Sequence, residues 1–366
     1  MRKLIFSFIV GVLLGIGFWF GTAWKTFLTT AVVSSNQPLH YILKPGSSIR
    51  TLASDLQDKS VLDNTNFFIL LAYLKNTTQK LKAGEYLFLP GTTPGQLLDQ
   101  IVAGKVILHR FVFIEGWTFK QLLNAINNDP HLIHTFYGLN SIAVVDKLDL
   151  PLRNPEGLFL PATYYFTLGT TDVGLLQTAY QKMADALAKL WQQRANNLPY
   201  QTPYEALIAA SMIEKETAQA RERPVIAGVL VRRLKSNMLL QIDSTLIYGL
   251  GENYPGKLNR TALAQDTLYN TYLHHGLPPT PIAMPGLASI QAALHPDKTT
   301  LLYFVAKGDG THQFSTTLQA QNQAVTRFQI KTNFPKIGKR LYTHLCAHPW
   351  YLSRKLQNLF IRCQIA

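Results

Sequence analysis

The sequence predicts an α+β protein that begins with a transmembrane helix and continues into two or three domains. Three observations indicate this class: an uncharged apolar stretch near the N-terminus, a repeated strand–glycine–helix pattern, and a helical periodicity from Asp172 to about Ala195. Of the 366 residues, 47% are apolar and 15% are charged, which excludes disorder over most of the length. A mean hydropathy of +0.04, with one segment long enough to cross a bilayer, excludes a multi-span membrane protein.

The charge balance and the cysteine content narrow the class of partner. The formal net charge is +14, from 35 Lys and Arg against 21 Asp and Glu, so we expect an anionic partner: nucleic acid, phospholipid or an acidic polymer. Two cysteines, Cys346 and Cys363, are too few for a disulfide scaffold, and no Cys or His spacing resembles a zinc-ligand set. The sequence therefore predicts neither a metal ion nor another cofactor.

The N-terminal segment predicts a membrane anchor over residues 1–25. Leu4 to Trp24 is uncharged, and at about 1.5 Å per residue a helix of this length crosses the apolar core of a bilayer. Arg2 and Lys3 precede it, which predicts a cytoplasmic N-terminus and export of the remainder. A cleaved signal peptide is the alternative, but its apolar core is normally about 7–15 residues and a small-x-small site follows it. Export argues against nucleic acid and favours an acidic envelope polymer or lipid.

A small module follows a polar linker over residues 26–38. From residue 39 a short strand, a glycine turn with Ser or Thr, and an amphipathic helix recur three times, with their glycines at Gly46, Gly91 and Gly116. The first copy, a second helix and a closing strand give the order β-α-α-β over residues 39–108. This order resembles the carbohydrate-binding LysM module, and a purely structural role remains the alternative.

One helix carries the candidate catalytic acid. Thr202-Pro-Tyr-Glu205 predicts a helix start, and we expect the helix to continue to about Ala220. At 100° per residue Glu214 and Glu216 stand about 200° apart, so they cannot form a close carboxylate dyad. Glu216 falls among apolar side chains, where burial would raise its pKa and keep the proton that a general acid needs. Helical phase favours Glu216 over Glu214 only modestly, and surface charge or ion pairing with neighbouring basic residues is the alternative for both.

The same helix carries the strongest family resemblance. Ala210-Ser-Met-Ile-Glu-Lys-Glu-Thr217, followed by Glu222-Arg223, resembles the signature of the MltG/YceG family, the endolytic murein transglycosylases. Further blocks match in order: Asn154-Pro-Glu-Gly-Leu158, Leu240-Gln-Ile-Asp-Ser-Thr245, Tyr269-Asn-Thr-Tyr272, Gly276-Leu-Pro-Pro279, Ile282-Ala-Met-Pro-Gly286, Ala292-Ala-Leu-His-Pro296 and Leu302-Tyr-Phe-Val305. The likeness covers residues 1 to about 330. It implies a mixed α/β, YceG-like catalytic domain over residues 109–330.

The resemblance assigns the chemistry to Glu216. In the family, the second Glu of Glu-Lys-Glu-Thr protonates the oxygen between MurNAc and GlcNAc. The resulting carboxylate then takes the proton of the MurNAc 6-hydroxyl, which closes a 1,6-anhydro ring. A single acid used twice needs no second carboxylate at hydrolase spacing. Two alternatives remain: a lysozyme-type hydrolase that uses a second acid such as Asp243, and a non-catalytic murein-binding scaffold.

Polar residues of the matched blocks are the candidates for contact with the sugar, because turn-rich segments present side chains to clefts. They are Glu156, Gln241, Asp243, Tyr248, Asn270, Tyr272 and His295. A capping or structural role is an equal alternative for each, and His312 either stacks on a sugar or closes a strand. One position departs from the family pattern, since Ala162 stands where an Asp is expected.

The anchor and the resemblance together imply a location. We expect a single-pass protein of the bacterial inner (cytoplasmic) membrane, held in the lipid bilayer by residues 4–24, with the catalytic domain in the periplasm. Its substrate would be nascent peptidoglycan glycan strands, and peptidoglycan synthases (penicillin-binding proteins) are candidate partners. Residues 331–366 form a basic extension with seven Lys or Arg and no acid. The sequence leaves three alternatives open for this extension: binding to an anionic membrane surface, binding to a partner, or disorder.

Overall fold

The computed structural model describes residues 2–33, 36–139 and 141–330. It is a mixed α/β structure that divides into two compact units. The first unit contains residues up to 111 together with 130–133 and 165–171, and the second contains 112–129, 134–164 and the chain from 172. The predicted basic extension, with Cys346 and Cys363, lies outside the described residues.

The first unit begins with the long apolar helix α1 (Arg2–Thr29). Lys3–Thr29 is the one helix of the described ranges that is long and apolar enough to cross a membrane. Helix α1 continues past Trp24, so the first four residues of the predicted linker over 26–38 are helical.

A small α/β module completes most of the first unit. Its elements are β1 (Leu39–Leu43), α2 (Ile49–Asp58), α3 (Thr65–Leu74), β2 (Gly84–Phe88) and α4 (Pro94–Ala103). The order β-α-α-β is the predicted one, and β1 pairs antiparallel with β2, with Tyr41 opposite Tyr86. Leu52, Phe68 and Phe88 are fully buried in its core. The sheet and the helices therefore enclose a hydrophobic core of their own.

The repeated glycine turns have the predicted local structure. Each glycine has a left-handed backbone that side chains disfavour: Gly46 (φ 77°), Gly91 (φ 87°) and Gly116 (φ 77°). Two residues later a hydroxyl side chain accepts a backbone N–H in the first turn of a helix, at Ser48, Thr93 and Thr118. The turn chemistry thus determines where three helices begin.

The elements that follow the module are mainly helical, and most of them belong to the second unit, although β3 and β4 each have residues assigned to both units. The remaining elements are β3 (His109–Val112), α5 (Phe119–Asn127), α6 (Ser141–Leu148), β4 (Thr163–Phe166), α7 (Asp172–Gln192), α8 (Pro203–Glu216), α9 (Arg223–Lys235), α10 (Asp243–Leu250), α11 (Arg260–Leu263), α12 (Leu287–Leu294), β5 (Tyr303–Ala306), β6 (His312–Ser315) and α13 (Leu318–Val325). Strands β3 and β4 form one two-stranded sheet, and β5 and β6 form another.

Helix α8 is the central helix of this unit. It packs against α7, α9, α10 and α12, and every residue from Ala206 to Ile213 is buried. A helix that is enclosed on all sides needs small side chains where its neighbours approach, and this one has three alanines and a serine in that run. The buried Ser211 hydroxyl accepts the N–H of Ile282 at 3.0 Å and so ties a loop to the helix.

The predicted ends of α8 have different outcomes. The start is confirmed: Pro203 is the first helical residue, and the Thr202 hydroxyl accepts the Glu205 N–H at 3.2 Å. The predicted end near Ala220 is wrong, because α8 ends at Glu216 and Thr217 is extended. The Thr217 hydroxyl donates to Glu222 at 3.1 Å and accepts the Gln219 N–H at 3.0 Å. These side-chain bonds compete with the helical hydrogen bonds and stop the helix.

Gly157 provides a test of the packing between its loop and Pro281. Its φ is 79°, and a Cβ atom there would lie 2.5 Å from the Cβ of Pro281. Gly138 has a similar φ of 77° but open space around its Cβ position. We expect Gly138→Ala to cost about 1 kcal/mol of backbone strain, and Gly157→Ala to cost about 2–3 kcal/mol more because of the clash. Urea unfolding of the full chain in detergent measures both, and equal losses would contradict this packing.

Candidate active site

A large cleft of about 1300 Å³ lies in the second unit. Its walls come from the start of α5, the loop that precedes β4, the end of α8, helix α10 and strand β6. The charged or polar lining residues are Thr118, Lys120, Gln121, Asp146, Arg153, Asn154, Glu156, Lys215, Glu216, Asp243, Ser244, Tyr248, Glu252 and His312. Five carboxylates and three Lys or Arg side chains thus share one cleft.

Glu216 reaches this cleft from the last position of α8. The hydroxyl of Ser244, in the first turn of α10, donates to its carboxylate at 2.8 Å. Burial, assisted by the negative charge of Asp243, raises the pKa of Glu216 from 4.5 to about 7. Hydrogen bonds from the Ser244 hydroxyl and N–H oppose this rise, because they favour the ionised form. The carboxyl can therefore gain and lose a proton near neutral pH.

Glu214, two residues earlier, is held by an ion pair and a backbone hydrogen bond. Its side chain is 6% exposed and lies 3.3 Å from the guanidinium of Arg223. It also accepts the N–H of Gly286, the residue that caps α12, at 2.9 Å. An ion pair, the alternative that the sequence left open, is therefore the arrangement found at Glu214, whereas Glu216 faces the cleft.

Helix α10 also donates a hydrogen bond to a second carboxyl of the cleft, that of Glu156. Tyr248 lies one turn after Ser244, and its hydroxyl donates to Glu156 at 3.1 Å. Glu156 is 4% exposed and also accepts the N–H of Phe119, the first residue of α5, at 2.9 Å. Burial raises the pKa of Glu156 to about 7, against the opposing effects of these hydrogen bonds and of Lys215. Glu156 therefore links α5 to α10 on the cleft wall.

Asp243 completes the polar side of α10. It accepts a hydrogen bond from the hydroxyl of Tyr272, and burial raises its pKa. Because its charge acts on Glu216, Asp243 helps to keep a proton on that carboxyl. The structure thus brings Glu156, Asp243 and Tyr248 into the cleft with Glu216, and Tyr272 contacts it through Asp243.

Four predicted contact residues do not line the cleft: Tyr272, which reaches it only through Asp243, and three others. Gln241 is exposed, with a φ of 52°, and its side chain accepts from Arg233 at 3.3 Å. Asn270 is fully buried and donates to two backbone carbonyls, those of Leu263 and Gln265. His295 is exposed at the end of α12. The environments of Gln241 and Asn270 favour the structural alternative for both.

His312 lines the cleft and contacts Glu222, which in turn contacts the residue that follows α8. Its N–H and its Nδ1 lie 3.0 and 2.8 Å from the carboxylate of Glu222, which also accepts from Thr217. Burial alone would raise the Glu222 pKa, but these hydrogen bonds outweigh it and lower the pKa. An ionised Glu222 therefore ties Thr217, the residue after Glu216, to strand β6.

Sequence reasoning did not single out Ser244 and Lys215. Ser244 makes the direct hydrogen bond to Glu216, and Lys215 donates to the carbonyl of Gly116 at 3.2 Å beside the cleft. The available signal was the spacing of Ser244 and Tyr248, which places both on one face of a short helix. Ala162, the departure from the family pattern, is not a lining residue, and its carbonyl accepts the N–H of Phe113. In the described ranges no group of three or more His, Cys, Asp or Glu side chains could hold a metal ion.

The fold and the cleft together define a mixed α/β protein with a protonatable carboxyl in a cleft of about 1300 Å³, and sequence comparison identifies its family. The profile of the YceG-like family matches residues 41–327. The chain therefore belongs to the YceG-like family, as the sequence blocks predicted.

Two relatives with named activities are similar to this chain in sequence, and one solved structure aligns with it. The chain is 29% identical over 331 residues to a Bacillus subtilis protein named endolytic murein transglycosylase, covering 84% of this chain and 90% of that protein. It is 27% identical over 349 residues to a Streptococcus pneumoniae protein of the same name, of which it spans 61%. A crystal structure of a yceG-like protein from Listeria monocytogenes aligns with a TM-score of 0.48 and 30% identity, covering 79% of this chain and 99% of that one.

The two glutamates at the end of α8 predict opposite changes in stability. Glu216 has a folded pKa of about 7 against 4.5 for an ordinary Glu, so the folded state loses stability as the pH rises from 4.5 to 7, and the full cost remains above pH 7. We expect Glu216→Gln to increase the free energy of unfolding at pH 8 by on the order of 2 kcal/mol and so to raise the melting temperature. Below pH 4.5 we expect the melting temperature to change little.

Glu214→Gln is the matched control on the same helix. It removes the charge opposite Arg223 and weakens the acceptor of the Gly286 N–H, so we expect a lower melting temperature at pH 8. Differential scanning calorimetry of the full chain measures both variants. A loss of stability in Glu216→Gln at pH 8 would contradict a strained, partly buried carboxyl at that position.

Proposed function

We propose that this protein is a membrane-anchored lytic transglycosylase that cleaves peptidoglycan glycan strands internally and leaves a 1,6-anhydro-MurNAc end. The observation that carries the proposal is the environment of Glu216: a partly buried carboxyl with a pKa of about 7, in a cleft of about 1300 Å³. Membership of the YceG-like family, with relatives named endolytic murein transglycosylases, supports the substrate class.

The proposed reaction uses the proton of Glu216 twice. Protonated Glu216 gives its proton to the glycosidic oxygen, and the bond from that oxygen to the anomeric carbon of MurNAc breaks, so that GlcNAc leaves with a 4-hydroxyl. The Glu216 carboxylate then takes the proton of the MurNAc 6-hydroxyl, whose oxygen bonds to the anomeric carbon. A pKa near 7 suits both steps, because neither form of the carboxyl is scarce at neutral pH.

The groups around Glu216 fit the two steps. Ser244 donates to the carboxylate and stabilises it after the first proton transfer, while burial and Asp243 favour the return of a proton from the 6-hydroxyl in the second. The intramolecular hydroxyl replaces water as the nucleophile, which requires the sugar to be held in attack geometry. Lys120, Arg153 and Lys215 line the cleft and would attract the lactyl and peptide carboxylates of the strand.

The first unit would place this chemistry beside the membrane. We propose that α1 is the single-pass anchor, with its N-terminus in the cytoplasm and the chain that follows it outside the cytoplasm. The β-α-α-β module, which we take as LysM-like, would bind glycan near the point of synthesis. Peptidoglycan synthases are then the natural partners, because they make the strands that a tethered enzyme reaches.

The product and the role of Glu216 are tested with purified full chain and isolated glycan strands. We expect mass spectrometry to detect 1,6-anhydro ends from the wild type, because the 6-hydroxyl replaces water. Glu216→Gln cannot donate the proton, so we expect its rate to fall by about 10²–10⁴-fold with glycan binding retained. Glu205→Gln, at the other end of α8, is the matched control and should keep the activity.

Each rival function has its own signature in this experiment. Products heavier by one water would make the protein a hydrolase, in which Asp243 beside Glu216 would serve as the second acid. Glycan binding without cleavage by the wild type would make it a scaffold. Full cleavage by Glu216→Gln would leave the chain a transglycosylase but remove Glu216 from the mechanism.

The pH dependence tests the balance of forces on Glu216. The acid must be protonated to start the reaction, so we expect kcat/KM to fall as the pH rises through about 7. Ser244→Ala removes a hydrogen bond that favours the ionised form, so the fall should move to higher pH. Ser289→Ala is the control, since the Ser289 hydroxyl is buried without a hydrogen-bond partner in the described structure. A shift to lower pH in Ser244→Ala would reverse the assigned direction.

A further inference from the structure

Helix α3 of the membrane-proximal module has an apolar surface that the core of the module does not use. Its sequence, Thr65-Asn-Phe-Phe-Ile-Leu-Leu-Ala-Tyr-Leu74, contains no charged residue. Phe68, Leu71 and Ala72 are buried in the module, whereas Leu70, Tyr73 and Leu74 are 36%, 58% and 69% exposed. These three exposed residues, spaced by three and four, share one face of the helix. A small water-soluble module rarely exposes such a face without a partner.

The contacts of Phe67 locate this helix relative to α1. Its ring meets Phe20, Trp24 and Phe27 of α1 edge-on, with centroid distances of 5.4, 5.4 and 5.6 Å. Phe20 and Trp24 belong to the uncharged stretch that ends at Trp24. Phe20 lies about 6 Å along the helix axis before that end. The Phe67 ring, which contacts Phe20, therefore lies level with the outer end of the apolar stretch. Because Phe67 is part of α3, this helix lies at the same level.

We propose that the exposed face of α3, formed by Leu70, Tyr73 and Leu74, lies in the interfacial layer of the bilayer beside α1. The inference rests on the proposed role of α1 as a membrane anchor and goes beyond it, because it adds a second lipid contact within the same unit. Continuity with α1 identifies the occupant: the surface that would cover Phe20 and Trp24 is lipid, and α3 is in direct contact with both residues.

The residues around this face fit a lipid surface. Tyr73 combines an apolar ring with a hydroxyl, the kind of side chain that favours the level of the headgroups. Lys80 and Lys82 follow the helix within eight residues, and both are exposed or partly exposed, which suits anionic headgroups. A single helix leaves a domain free to tilt, whereas two contacts restrict it. The module would therefore hold a fixed orientation at the membrane.

The test uses the full chain with Cys346 and Cys363 replaced by Ser, reconstituted into vesicles of phosphatidylcholine and phosphatidylglycerol. One cysteine is introduced at a time, at Leu13, Leu74 or Arg50, and is labelled with the fluorophore NBD. Leu13 reports on the anchor and Leu74 on the proposed surface. Arg50 is the control, an exposed residue on α2, which packs against the buried side of α3. Emission is quenched either by doxyl-labelled lipid or by aqueous iodide.

We expect lipid quenchers to reduce the emission at Leu13 and at Leu74, with a blue shift at both, and iodide to reduce it at Arg50. If the Leu13 label lies in lipid while the Leu74 label responds to iodide as Arg50 does, the surface is in water and this inference is wrong, although the anchor stands. If neither quencher reaches Leu74, protein covers it, such as a second copy, and the inference is again wrong. If Leu13 is not in lipid, the anchor fails and this inference fails with it.

Discussion

The active-site chemistry depends on one opposition of forces at a single carboxyl. Burial and the charge of Asp243 favour the protonated form of Glu216, while the hydroxyl and N–H of Ser244 favour the ionised form. Glu216 is the last residue of α8, and Ser244 lies in the first turn of α10. The carboxyl therefore lies between a helix end that repels negative charge and a helix start that attracts it. Burial outweighs the hydrogen bonds only enough to bring the pKa of Glu216 to about 7, so both protonation states remain accessible near neutral pH.

The rest of the second unit keeps the end of α8 in position. Helix α8 is buried on all sides through Ile213, so it cannot rotate or slide without disturbing several neighbours. Glu214 ties its last turn to the start of α12, and Glu222 ties Thr217 to strand β6. Glu214 and Glu222 therefore hold neighbouring segments together, and Glu216 is the acid of this segment that faces the cleft. A strained carboxyl persists only where its surroundings are fixed in this way.

The sequence predicted local features well and the site only in part. The start of α8 at Thr202 and the glycine turn at Gly46 follow from residues within a few positions, and the structure confirms them. Helical phase selected Glu216 by assuming an amphipathic helix, but α8 is buried all round, and Glu216 reaches the cleft because the helix ends there. Membership of a matched block does not determine orientation, which is why His295 lies outside the cleft. The Glu156–Tyr248 contact joins residues 92 positions apart, which no local pattern reveals.

The cleft contains a second carboxyl, that of Glu156, whose pKa is also near 7. Glu156 and Glu216 are held by Tyr248 and Ser244, which lie one turn apart on α10. Ionisation of Glu156 would place a charge, almost without access to water, between the start of α5 and the last turn of α10. Burial is the largest cause of the raised pKa at both carboxyls. Helix α10 supplies the hydroxyl that opposes each rise, Tyr248 at Glu156 and Ser244 at Glu216, because a donated hydrogen bond favours the ionised form.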